Sequence, residues 1–353
     1  MTDQRSMSSG LDSASTSAAL EAVATACHVA RAVQHRLDQV IQITKDDRSP
    51  VTVGDFAVQA VIAACLMERL DPFGGLHIVG EESAADLESD DHAAIRHAVV
   101  RVVQQWRPGL GEDDVLSLIR RCQHDGTAQA YWTLDPIDGT KGFLRRQQYA
   151  IALAHIRDGS VEYGVLGCPN LSCDQSIPVD RPAASGSIYW AATDHGAWEL
   201  PDGNLEAAPR RICATPADAA GPWRFCGSVE KAHSDRSAAV KIAELVGNQG
   251  EPVRVDSQCK YALVARGQAD AYLRLPTSAE YVEKIWDHAA GSILATEAGA
   301  VVTDVTGAAL DFSHGPTLAV NRGVICASPA IHGRILATLK ISDNDPGAPE
   351  TMP

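Results

Sequence analysis

The chain has 353 residues, 45% of them hydrophobic and 21% charged, which is enough for one large or two ordinary globular domains with a sizeable buried core. Its 45 acidic residues against 30 basic ones leave a net charge of −15, which disfavours nonspecific attraction to nucleic acid or anionic lipid. An anionic substrate must therefore meet a local exception.

Residues 1–19, "MTDQRSMSSGLDSASTSAA", are Ser/Thr-rich, lack the apolar core of a signal peptide and are expected to be a disordered tail. From Leu20 onward, Val23, Cys27, Ala30 and Leu37 recur near helical spacing, and after the break "TKDDRSPVTVGD" a second helix is predicted from Gly54 to Leu70. Short strands are predicted at Leu76–Val79 and Ala130–Leu134. The polar, helical insertion between them (84–130) reads as a cover over whatever those strands present. "QYAIALAHIRDGSVEYGVLGC" is a hairpin turning at Asp158-Gly159, and "SGSIYWAATDHGAWEL" is another. Beyond Pro209 strands and helices alternate, with strands near Arg224–Gly227, Val253–Asp256, Ala271–Leu275 and Val301–Thr303. The helices between and after them are expected at Ser237–Val246, Lys260–Arg266, Trp286–Ala298 and from Pro329.

The predicted fold class is thus an α+β first half, 20–180, and a layered α/β second half, 181–341, with residues 342–353 as a second disordered tail. No apolar run reaches the ~18 residues of a membrane-spanning helix. Nine cysteines without a C-x-x-C pair suit a reducing cytoplasm.

Acids stand where these elements begin and end: Asp55 in "TVGD", Glu81 and Glu82 in "VGEES", Asp135 and Asp138 in "LDPIDGTKGF", and Asp287 in "IWDHAAG". Each has an ordinary reading. Asp55 can complete a capping box with Thr52, and Glu81 and Glu82 suit a helix start. Asp135 and Asp138 are harder to dismiss, because they leave an apolar strand directly into Gly-Thr-Lys-Gly. In a helix starting near Trp286, Asp287 shares the apolar face of Gly291, Leu294 and Ala298, where an unpaired carboxylate would cost several kcal/mol and a cation is the usual remedy. Hard oxygen ligands without His or Cys at zinc spacing favour Mg²⁺, and carboxylates from separate segments suggest more than one ion.

"SPVTVGDFAVQAVI", "IVGEES", "WTLDPIDGTKGF" and "KIWDHAAGSILATEAGAVVTD" resemble the signatures of the lithium-sensitive, magnesium-dependent phosphomonoesterases typified by inositol monophosphatase. The resemblance runs from about Leu20 to Leu339 and is greatest to the 3'(2'),5'-bisphosphate nucleotidases. It implies the sugar-phosphatase α/β sandwich also seen in fructose-1,6-bisphosphatase, and two or three Mg²⁺ ions per site. By this resemblance Glu81, Asp135, Asp138, Asp287 and the Ile137 carbonyl are metal ligands, while Asp55 and Thr140 orient and deprotonate the attacking water. The Gly139 and Thr140 amides at a helix start are suited to the phosphate.

"VDSQCKYALVARGQADAYLRLP" resembles the nucleotidase pattern in which Ser257, Lys260 and Arg274, with Asp287, meet the nucleotide, and His233 the base or ribose. Taken singly, Lys260 is as readily a solvated helix residue and His233 a structural one. The activity implied is removal of the 3'-phosphate of adenosine 3',5'-bisphosphate, with the 5'-phosphosulfate relative as a further substrate and sulfur assimilation as the setting. An inositol phosphate phosphatase with the same metals is the alternative, and a silent nucleotide sensor a distant one. The chain lacks C-x5-R, D-x-D-x-T and P-loop motifs, so neither a covalent phosphoenzyme nor a P-loop kinase is expected. The expected partner is a small phosphorylated nucleotide, with no nucleic acid and no membrane, and a monomer is compatible with the sequence.

Overall fold

In the computed structural model, which describes residues 13–38, 49–71, 75–229, 236–248, 252–276, 278 and 280–343, two long helices open the chain, α1 (Ser13–His35) and α2 (Ser49–Leu70). Strand β1 (Ile78–Gly80) is followed by helices α3 (Ala85–Glu88), α4 (Ala93–Trp106) and α5 (Glu112–Arg120). Then come β2 (Ala130–Asp138), α6 (Thr140–Leu144), β3 (Ala150–Arg157), β4 (Ser160–Cys168), β5 (Ser187–Ala192), β6 (Gly196–Leu200) and β7 (Arg210–Ile212). The remainder is β8 (Phe225–Gly227), α7 (Arg236–Leu245), β9 (Val253–Arg254), α8 (Cys259–Ala265), β10 (Ala271–Arg274), α9 (Ala289–Glu297), β11 (Val301–Thr303), β12 (Val324–Ala327) and α10 (Pro329–Asp343).

The layering follows from period-two alternation along strands that are buried on both faces. In β3, Ile151 and Leu153 join α1 and α2 in one apolar cluster, while Ala150, Ala152 and Ala154 join α8 and α9 in another. Each fully buried Leu or Ile of such a face contributes about 1.5–3 kcal/mol relative to exposure. Strands β1 to β7 form a seven-stranded sheet in chain order, and a five-stranded sheet runs β11-β12-β10-β8-β9. The second sheet packs one face toward α8 and α9 through Cys226, Tyr272 and Cys326, and the other against α7 and α10 through Phe225, Leu273 and Ile325. Helix, sheet, helix, sheet and helix therefore stack in sequence, as the sandwich expectation requires.

Several expectations are corrected. Helix α1 begins at Ser13 with Ala18 and Ala19 buried, so 13–19 are part of the fold and no disordered tail. Strands β5 to β7 continue the first sheet as far as Ile212, which moves the boundary between halves from 180 to beyond that strand. The helices of the insertion lie on α2, and its last residues pair with the edge of β1, Gln123 opposite Val79. Helices α4 and α5 pack their apolar faces on Val53, Phe56, Ala57 and Ala60 of α2. Residues 1–12 and 344–353 lie outside the described residues. Among the described residues no helix is long and apolar enough to cross a membrane.

Candidate active site

The Asp135–Asp138 pair owes its direction to a fault in the sheet. Asp135 stands opposite Ala152 and Asp138 opposite Ala150, so three steps along β2 match two along β3. One extra residue is accommodated at Pro136-Ile137, where proline has no N–H to lose from the ladder. In a regular strand residues three apart face opposite sides. The bulge puts both carboxylates on the side of Ala150 and Ala152, toward α8 and α9.

Glu81 arrives beside them because β1 runs parallel to β2, Gly80 opposite Leu134, and the Glu81 N–H continues the ladder to the Leu134 carbonyl at 3.1 Å. Asp55 comes from α2, whose Gly54 lies so close to the bulge that a β-carbon there would sit 2.7 Å from Ile137 Cδ1. A larger residue there would have to displace the end of the Ile137 side chain. Past Asp138, Gly139 takes φ +92° and approaches Ser257, where an added β-carbon would meet the Ser257 Cβ at 2.9 Å.

A cavity of about 410 Å³ opens at this junction, lined by Glu81, Asp135, Ile137, Asp138, Gly139, Thr140, Ser257, Lys260, Arg274 and Asp287. These are ten of the twelve residues to which the resemblance assigns a site role. Asp55 stands behind them, buried, with Glu82 and Glu81 as its charged neighbours. His233 lies outside the described residues.

The carboxylates strain against one another. Burial, Glu81, Asp138 and Asp287 hold Asp135 well above the usual carboxylate range, and burial with Glu82 and Glu81 does the same to Asp55. Glu81 keeps solvent contact at the mouth, yet loss of hydration together with Asp287 and Glu82 pushes it up to about 8. Asp138 is pushed up to about 6 by burial and Asp287, against the pull of Lys260. Asp135 Oδ1 is buried and has no hydrogen-bond partner among the described residues. An orphaned carboxylate oxygen among repelling carboxylates is a donor set that fits a hard cation. Glu283, Asp287 and His288 also bring ligand atoms within 4.8 Å of one another. Glu283 and His288 are bonded to each other at 3.1 Å and only Asp287 of the three lines the cavity, so we favour the larger acidic group.

Asp287 is not on helix α9. It lies in the turn before it, because Ala289 bonds back to the Ile285 carbonyl at 2.8 Å and His288 is held by Glu283 and by Tyr261 at 2.8 Å. Lys260 is buried, not solvated. Its ammonium lies 3.5 Å from the Val255 carbonyl and 5.1 Å from the Tyr272 ring centre, and burial lowers its pKa.

Sequence reading missed Gln258, whose N–H donates to Asp138 Oδ2 while its side chain donates to the Trp286 carbonyl at 2.8 Å and accepts from Gly291 N–H at 3.0 Å. It also missed Asp256, which pairs with Arg145 and accepts from Ser228 Oγ at 3.2 Å, and Tyr281 and Lys284 on the cavity wall. The one available signal was the place of Asp256, Gln258 and Lys284 inside the quoted motifs, whereas Tyr281 stands between two of them. Ser257 itself adopts φ +71°, rare for a residue with a side chain, at the entry to α8.

A bulged strand end delivering carboxylates into a cleft between two sheets, with cations on the same walls, defines a protein built to handle small anionic esters. The chain belongs to the inositol monophosphatase family, which residues 6–343 match. It is 40% identical over 316 residues to the 3'(2'),5'-bisphosphate nucleotidase of Schizosaccharomyces pombe, covering 86% of this chain and 88% of that one. The Emericella nidulans protein of the same name is 39% identical over 320 residues, with 84% and 90% covered. In fold it resembles Mycobacterium tuberculosis SuhB (TM-score 0.57, 21% identity, 94% and 98% covered) and CysQ of Bacteroides thetaiotaomicron (TM-score 0.52, 19% identity, 89% and 96% covered).

Proposed function

We propose that this chain is a Mg²⁺-dependent phosphomonoesterase that removes the 3'-phosphate of adenosine 3',5'-bisphosphate, giving AMP and phosphate. The carrying observation is that Glu81, Asp135, Asp138 and Asp287 share one cavity with Lys260 and Arg274, so a cation site and an anion site adjoin. The names of the curated relatives supply the nucleotide half of the reading.

Glu81, Asp135, the Ile137 carbonyl, Asp138 and Asp287 would hold the metal. Bound Mg²⁺ supplies positive charge to the phosphate and acidity to a neighbouring water. Asp55, its proton affinity raised by burial and by Glu82, accepts a proton from the attacking water, and the Thr140 hydroxyl orients that water. The Gly139 and Thr140 amides meet the scissile phosphate. Ser257, Lys260, Arg274 and His233 hold the nucleotide away from the reacting bond. The 5'-phosphosulfate relative of the substrate presents the same 3'-phosphate.

Phosphate release from a panel of adenosine 3',5'-bisphosphate, its 5'-phosphosulfate relative and inositol phosphates, with Mg²⁺ and with chelator, tests the reading. Turnover confined to inositol phosphates would replace the nucleotide by an inositol ring, and turnover in chelator would remove the metal.

A further inference from the structure

Arg274 Nη2 has both of its hydrogens engaged. It donates to Asp287 Oδ2 at 3.1 Å and to the Tyr281 hydroxyl at 3.1 Å, and it lies 2.7 Å from Glu283 Oε2 as an ion pair. One contact must give way whenever another ligand arrives. Arg274 Nε adds a 2.9 Å bond to Glu283 Oε1, so Glu283 holds the guanidinium by a hydrogen bond as well as by charge. Glu283 is itself fixed, 4% exposed and bonded at 3.1 Å to His288, which in turn meets the Tyr261 hydroxyl at 2.8 Å. The Asp287 contact is longer than the Glu283 ion pair and is the one that a cation would contest.

We propose that Glu283 is a positioning residue that makes Arg274 a switch between Asp287 and the substrate. Without a cation, Arg274 neutralises Asp287 and competes with metal for it. When a cation takes the Asp287 carboxylate, Nη2 loses that partner, Glu283 keeps the guanidinium at the cavity wall, and the released N–H faces an incoming anion. Metal and anion then bind with positive coupling that passes through Arg274, in addition to their direct attraction. This rests on the reading that Asp287 is a metal ligand and Arg274 a substrate contact.

The test is Mn²⁺ binding to the substrate-free protein, followed by electron paramagnetic resonance, since Mn²⁺ takes the same oxygen ligands as Mg²⁺. Arg274→Ala removes the competitor and should tighten Mn²⁺ binding by about tenfold. Glu283→Gln keeps an acceptor for His288 but releases Arg274 to pair with Asp287, and should weaken Mn²⁺ binding by a similar factor. The double variant should match Arg274→Ala alone, because Glu283 then has nothing to restrain. Unchanged or weakened binding in Arg274→Ala overturns the proposal. So does an additive double variant, which would make Glu283 a distant charge and no more. If Glu283→Gln does not fold, the Arg274→Ala arm decides alone. Failure of the nucleotidase reading is seen separately, as a wild-type protein that releases no phosphate from adenosine 3',5'-bisphosphate.

Discussion

Gln59 holds the backbone of Glu82 by both ends of its amide: its Nε2 donates to the Glu82 carbonyl at 2.7 Å and its Oε1 accepts the Glu82 N–H at 3.1 Å. Gln59 is wholly buried on α2, one helical turn after Asp55, so a single helix positions both Asp55 and the Glu81–Glu82 turn. Replacing Gln59 by Leu leaves two backbone groups without their partner, at a cost of about 1–3 kcal/mol. The variant should unfold at lower temperature in calorimetry and require more Mg²⁺ for half-maximal turnover. A loss of stability with an unchanged Mg²⁺ requirement would confine Gln59 to a packing role.

Asp138→Asn should abolish most turnover while leaving the metal-free protein as stable as before, or more so. The substitution removes one of several mutually repelling carboxylates but offers a cation only a neutral oxygen. Asp135→Asn should behave alike, since the orphaned Oδ1 belongs to the same cluster. Phosphate release and thermal unfolding measured in chelator separate the two effects. Near-normal turnover at ordinary Mg²⁺ in either variant would remove that residue from the metal site.

The repelling carboxylates also set a pH dependence. Lost hydration and like charge push Glu81 up to about 8 from 4.5 and Asp138 up to about 6 from 3.8, and they raise Asp55 and Asp135 the same way. Below the unfolded values both states are protonated and the full stability is present. As pH rises from about 4 to about 8 the unfolded chain releases these protons first, so the metal-free fold is progressively destabilised. The unfolding temperature in chelator should therefore fall across that window, and Mg²⁺ should flatten the decline. The overall charge of −15 acts in the same direction. The Asp135→Asn/Asp138→Asn double variant isolates the local part: its slope in chelator should be shallower than that of wild type.

What was legible in the sequence is what local pattern can encode. Asp135-Pro136-Ile137-Asp138 is visible as a break in an apolar strand, and the Asp158-Gly159 hairpin as a turn, with φ of +50° and +73° in the structure. The bulge that aims the two aspartates was not legible, because it is a mismatch with Ala150 and Ala152 on another strand. Asp287 was read onto a helix since its apolar spacing continues through Trp286, whereas the turn is fixed by Glu283, His288 and Tyr261. Strand β12 was missed for the same reason. Its four residues are recognisable only through β10 and β11, which flank it.

Arg274→Ala discriminates most sharply between substrates. At saturating Mg²⁺ the competition for Asp287 no longer matters, and what remains is the contact of the guanidinium with the part of the substrate away from the scissile bond. Loss of a charge-assisted hydrogen bond is worth about 1.5–3 kcal/mol, so kcat/KM for adenosine 3',5'-bisphosphate should fall roughly ten- to a hundredfold, mostly through KM. A small phosphate ester that cannot reach Arg274 should be hydrolysed at close to the wild-type rate. If both substrates decline equally, Arg274 serves the metal site alone and the nucleotide pocket lies elsewhere. If neither declines, the anion that Arg274 faces is not part of the substrate, and an inositol phosphate becomes the better reading of the cavity.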